Sequence, residues 1–99
     1  MWQKYRCKDF SQTGNVTLPN QWRQRFGLTP GRQAEICYDE DGILIKKPEQ
    51  NSTNNKRYIS EKGAIHIPKE IRDISGIQPH QEFCLFVNEQ EKCFILKVI

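Results

Sequence analysis

The chain has 99 residues, enough for one compact domain with a modest core and too few to add a large catalytic cleft. Apolar side chains make up 36% and charged ones 27%, a balance that favours folding over disorder, and no apolar run is long enough to span a bilayer. Fifteen basic residues against 12 acidic ones leave a formal charge of +3, too little by itself to name a nucleic-acid partner.

The first residues, Met1-Trp2-Gln3-Lys4-Tyr5-Arg6, carry no apolar export leader, so a cytoplasmic protein is expected. Residues 3–10 alternate aromatic and basic side chains and suit a strand. Residues 15–18 suit a second, with Val16 and Leu18 on one face and Asn15 and Thr17 on the other. Pro19 is predicted at the first position of a short helix, where its missing N–H is harmless. Trp22 and Phe26, four apart, share a face of that helix, and Gly27 suits a left-handed cap that ends it. Residues 28–31 form a Pro-Gly turn into a third strand over residues 33–38. Residues 39–42 close a hairpin whose second arm is residues 43–47. Residues 48–56 are polar and read as a linker.

The remainder repeats this order at an offset of 49. Ser11 aligns with Ser60, Gly14 with Gly63, Pro19 with Pro68, Arg23 with Arg72, Gly27 with Gly76 and Pro30 with Pro79. Val16, Leu18, Trp22 and Leu28 fall on Ile65, Ile67, Ile71 and Ile77, and His80 takes the turn position held by Gly31. The second helix is predicted over residues 69–75, and its strands over residues 82–87 and 93–98. Self-similarity of this kind indicates two copies of one supersecondary unit: residues 1–47, a linker over 48–56, and residues 57–99. A unit of roughly forty residues is too small for a core of its own, so the copies are expected to pack on each other as one mainly β domain.

The combination of Gly, Pro, Arg, Gly and Pro at fixed offsets, present twice, resembles the AbrB/SpoVT/MazE family of swapped-hairpin DNA-binding domains, over nearly the whole chain. The resemblance implies a small swapped-hairpin β-barrel of two ββαββ repeats, formed within one chain as a pseudo-dimer, with the basic N-terminal halves on DNA. Family members place basic residues six positions before the first glycine, directly after it, and four and five positions after the proline. Here these become Lys8 and Arg57, Asn15 and Ala64, and Arg23-Gln24 and Arg72-Asp73. The basic residue after the glycine is therefore missing from both copies, and Asp73 stands where a cation is usual.

The charge pattern points the same way without the family. Residues 1–32 carry a net +5 and residues 56–72 a net +3, whereas residues 33–55 and 73–99 carry −3 and −2. Pairing of the copies would merge the basic halves into one phosphate-binding face. Arg6, Lys8, Arg23, Arg25, Arg57, Lys62, Lys69 and Arg72 are the candidate DNA contacts. Asn15, Thr17, Gln21, Gln24 and His66 are the candidate base contacts. Arg23 and Arg72 have a competing role, bracing a neighbouring group from the helix. Trp2, Tyr5 and Phe10 are either core aromatics or anchors for a protein partner.

No nucleophile motif, phosphate loop or metal-ligand spacing is present, so neither an enzyme nor a cofactor or metal is expected. Cys7, Cys37, Cys84 and Cys93 read as small buried side chains, with Cys84 and Cys93 near enough across a hairpin to leave a disulfide open. The expected function is a DNA-binding transcriptional regulator taking duplex DNA, with no membrane partner and room for further self-association. The alternatives are an antitoxin and a protein-interaction barrel. The antitoxin is disfavoured because its family members wrap the toxin with a tail beyond the last strand, whereas Ile99 closes this chain.

Overall fold

The apolar–polar alternation is realised as strands in both halves. The computed structural model describes residues 2–99. In chain order it forms β1 (Gln3–Asp9), β2 (Asn15–Thr17), α1 (Asn20–Arg23), β3 (Gln33–Asp39), β4 (Gly42–Lys46), β5 (Asn55–Tyr58), β6 (Ala64–His66), α2 (Lys69–Ser75), β7 (Glu82–Asn88) and β8 (Cys93–Val98). The protein is thus mainly β, an open six-stranded antiparallel sheet in the order β1-β7-β8-β4-β3-β5 with a separate two-stranded ribbon of β2 and β6.

Each chain-terminal half contributes its first strand to the other half's hairpin. β1 pairs with β7, β5 pairs with β3, and the two hairpins meet where β4 pairs with β8. In the ribbon Val16 faces Ile65, and both are buried. The Leu18 amide donates to Gly63 (2.9 Å), and the Ile67 amide donates to Gly14 (2.8 Å). The Phe10 amide donates to Gln81 and the Ile59 amide to Arg32, at 2.8 and 2.9 Å. Leu18, Ile67, Phe10, Ile59, Ile36, Ile45, Leu85, Phe94 and Leu96 are all at or below 2% exposed. Residues of both halves therefore close one core, as their small size requires.

Several local expectations are corrected. Pro19 and Pro68 precede their helices as N-caps with extended backbone, and α1 is a single turn that winds on irregularly to Gly27. Gly27 and Gly76 do adopt left-handed backbone, and so does His80, matching Gly31. The connector is shorter than residues 48–56, because Asn55 and Lys56 already belong to β5. It is also pinned: the fully buried Glu35 accepts hydrogen bonds from the Glu49 amide and the Asn54 side chain, each at 3.0 Å. The cysteine reading changes most. Cys84 joins Cys7 in a disulfide across the β1–β7 pair, while Cys93 lies opposite Asn88 and stays free with Cys37. Among the described residues no helix is long and apolar enough to cross a membrane.

Candidate nucleic-acid interface

The β2–β6 ribbon presents a short polar face. Val16 and Ile65 point into the core, which turns Asn15 and Thr17 of β2 and Ala64 and His66 of β6 outward, with Asn15 opposite His66 and Thr17 opposite Ala64. Each strand enters from a serine turn: Ser11 Oγ accepts from the Asn15 amide at 2.9 Å and Ser60 Oγ from the Ala64 amide at 3.1 Å. These bonds hold Gly14 and Gly63 at the bend, where both have left-handed backbone.

The helix arginines lie over those two glycines, each on the glycine of the opposite half. A Cβ on Gly63 would stand 2.8 Å from Cζ, Nε and Nη2 of Arg23, and one on Gly14 would stand 3.5 Å from Arg72 Cζ and 3.1 Å from His66 Cε1. Arg23 is buried, at 7% exposure, and Arg72 half-buried. Arg23 donates to Asn20 Oδ1 (2.8 Å), but the buried Nε atoms of both arginines lack a partner. Among the described residues neither has a carboxylate within ion-pair distance. A buried guanidinium without an acid is expensive unless something outside completes it. Replacing Gly63 by alanine combines a left-handed backbone penalty with displacement of Arg23, for an expected loss of about 2 kcal/mol. Gly31→Ala, where nothing lies within 4 Å, bears only the backbone term. Denaturant unfolding measures the difference, and equal losses would show that Arg23 yields freely.

β1 adds two cations. A bulge sets in between Lys4 and Arg6, so Tyr5 has no cross-strand partner and instead meets Trp22 edge-on at 5.5 Å, with the Arg6 guanidinium 5.0 Å over its ring. Beyond the bulge Arg6 and Lys8 register with Leu85 and Phe83, the core-facing residues of β7. Because β1 is an edge strand, both side chains emerge into a crevice bounded by Val16, Thr17 and Pro19. The corresponding positions of β5 are Asn55 and Arg57, which register with Ile36 and Ala34. Asn55 donates to Glu70 at 2.8 Å, so this side offers one cation where β1 offers two.

The other expected contacts divide. Lys62 is exposed beside Gly63 and has no acid partner among the described residues. Arg25 pairs with Glu89 at 3.0 Å and Lys69 with Asp73 at 2.9 Å, so both are locally neutralised. Gln21 and Gln24 are exposed on the α1 side, with Gln24 donating weakly to Asn20 at 3.4 Å. Sequence reasoning passed over Asn20, whose carbonyl orients Arg23; its place three residues before an arginine on a helix was the available signal. Of the three aromatics, Phe10 is buried in the core, Trp2 is half-buried and Tyr5 is partly exposed against Trp22. Among the described residues no cluster of three His, Cys, Asp or Glu side chains is placed to hold a metal.

No family model and no curated relative matches the chain. Its backbone is similar to the solution structure of PHS018 from Pyrococcus horikoshii, with a TM-score of 0.53 and 19% identity over 97% of this chain and 90% of that one. At that identity the likeness concerns the fold alone.

Proposed function

We propose that the protein is a small DNA-binding regulator that grips duplex DNA through the β2–β6 ribbon and the cations around it. The observation that carries this reading is a set of five cations, Arg6, Lys8, Arg57, Lys62 and Arg72, that border the ribbon and have no acid partner among the described residues. Arg23 adds an enclosed positive charge beneath it. A basic surface of this kind attracts phosphate, while Asn15, Thr17 and His66 offer donors and acceptors to base edges.

The exchange of first strands between the halves supports the finer reading as two swapped-hairpin repeats, paired within one chain, of the AbrB/SpoVT/MazE type. So do the matched hydrogen bonds of Gly14 and Gly63. On this reading the two halves of the DNA site are unequal, because the positions of Arg6 and Lys8 in one half are held by Asn55 and Arg57 in the other.

Binding of a fluorescent random-sequence duplex at about 0.1 M salt tests it. Each lost phosphate contact weakens binding about eightfold under those conditions. Arg6→Gln with Lys8→Gln should therefore weaken binding about 60-fold, and Arg57→Gln about eightfold. Equal effects would remove the asymmetry, and no effect from either would remove the site. An antitoxin or protein-interaction role has no comparable support in the arrangement of side chains.

A further inference from the structure

We propose that Cys7 and Cys84 form a thiol–disulfide exchange site that clasps β1, and with it Arg6 and Lys8, to the sheet. β1 is an edge strand whose neighbour is β7, and along its length six of seven residues are exposed, with Cys7 alone half-buried. Little apolar burial holds it, since Arg6 and Lys8 occupy the core-facing positions that a better-anchored strand would fill with apolar groups. The Tyr5–Trp22 contact anchors it at the bulge. The Cys7–Cys84 bond anchors the remainder.

The other edge of the sheet shows that this anchor is specific to one half. The positions of β5 and β3 that correspond to Cys7 and Cys84, at the 49-residue offset, are Lys56 and Glu35, which face each other in register. There the strand is held without a covalent bond: Glu35 binds the connector and Lys56 Nζ donates to the Ser52 and Asn54 carbonyls. The redox-sensitive link therefore serves only the strand that carries the Arg6–Lys8 pair.

The chemistry has a direction. Cys84 is 5% exposed and Cys7 half-buried, so an incoming thiolate reaches Cys7 Sγ more readily. Attack there by one sulfur of a small dithiol breaks the protein S–S bond, forms a mixed disulfide on Cys7 and releases the Cys84 thiolate, which takes a proton. Lys97 lies opposite Cys84 on β8, with its ammonium 5.5 Å over the Phe86 ring. The second reagent sulfur then displaces Cys7 as a thiol. Two electrons and two protons pass from the dithiol to the protein, and the reagent leaves as its own disulfide.

Hydrogen exchange on oxidised and dithiothreitol-reduced protein tests the clasp directly. Reduction should speed amide exchange at residues 3–9 at least about tenfold, while β8 amides keep their protection. The Cys7→Ser/Cys84→Ser variant should match the reduced protein and ignore dithiothreitol. Unchanged exchange in β1 overturns the proposal, as does loss of protection throughout the sheet, which would make the bond a staple of the whole fold. The consequence for DNA rests on the function proposed above: reduction should weaken duplex binding at least about tenfold at 0.1 M salt. If the oxidised protein binds no DNA the functional reading fails, and exchange at residues 3–9 still decides the clasp.

Discussion

Raising salt from about 50 to about 200 mM is expected to weaken duplex DNA binding about 500-fold, with log K falling against log salt at a slope near −4.5. The slope follows from five phosphates, one for each unpartnered cation bordering the ribbon: Arg6, Lys8, Arg57, Lys62 and Arg72. Arg25 and Lys69 are left out because Glu89 and Asp73 already neutralise them. Arg23 is left out because its guanidinium is enclosed over Gly63. The titration also separates contacts that single affinities would blur. Arg57→Gln should flatten the slope by about 0.9 and Arg6→Gln with Lys8→Gln by about 1.8, whereas Arg25→Gln should leave it unchanged. A slope near zero would refute electrostatic binding, and a slope that moves with Arg25 would show that its pairing with Glu89 breaks on DNA.

The strands, both turns at Gly31 and His80, and the helix over Lys69–Ser75 were legible because each rests on local chemistry: period-two alternation, left-handed backbone at particular residues, and a proline at the helix entry. The basic halves were legible as well, since charge is counted along the chain. Three determinants of the site were not. The bulge leaves Tyr5 without a partner, and Lys4-Tyr5-Arg6 contains nothing that marks an extra residue. The bond from Cys7 to Cys84 spans 77 residues and depends on which hairpin β1 joins. Arg25 looked as free as Arg6 because its partner, Glu89, lies in the distant β7–β8 turn. In each case the missing term is a pairing between the halves, which no local window contains.

That same dependence explains how two similar segments yield unequal halves. The shared positions, such as Gly14 with Gly63 and Val16 with Ile65, lie where the halves meet and must satisfy the same backbone geometry. The positions that differ lie on the sheet edges. There β1 brings Arg6, Cys7 and Lys8 where β5 brings Asn55, Lys56 and Arg57, and each edge is secured by its own device.

The device at the β5 edge makes the last expectation. Glu35→Ala should destabilise the fold by about 3 kcal/mol at neutral pH, because it strips the Glu49 amide and the Asn54 side chain of their shared acceptor, the fully buried Glu35 carboxylate. Burial pushes the Glu35 pKa up, but hydrogen bonds from Asn54, the Glu49 amide and Ser52, with the Lys46 cation nearby, outweigh it and hold the carboxyl below its ordinary value. A depressed folded pKa means that the carboxylate's contribution is complete above the unfolded pKa of about 4.3 and disappears as pH falls through the folded value. Glu35→Gln keeps the shape and removes the titration. Its deficit against the natural protein, about 2 kcal/mol at pH 7, should therefore shrink as the pH drops below about 4. Urea unfolding of both proteins between pH 3 and 7 reads this directly. A deficit that stays constant across that range would mean that Glu35 holds the connector by shape rather than by charge, and β5 would then owe its place to its pairing with β3.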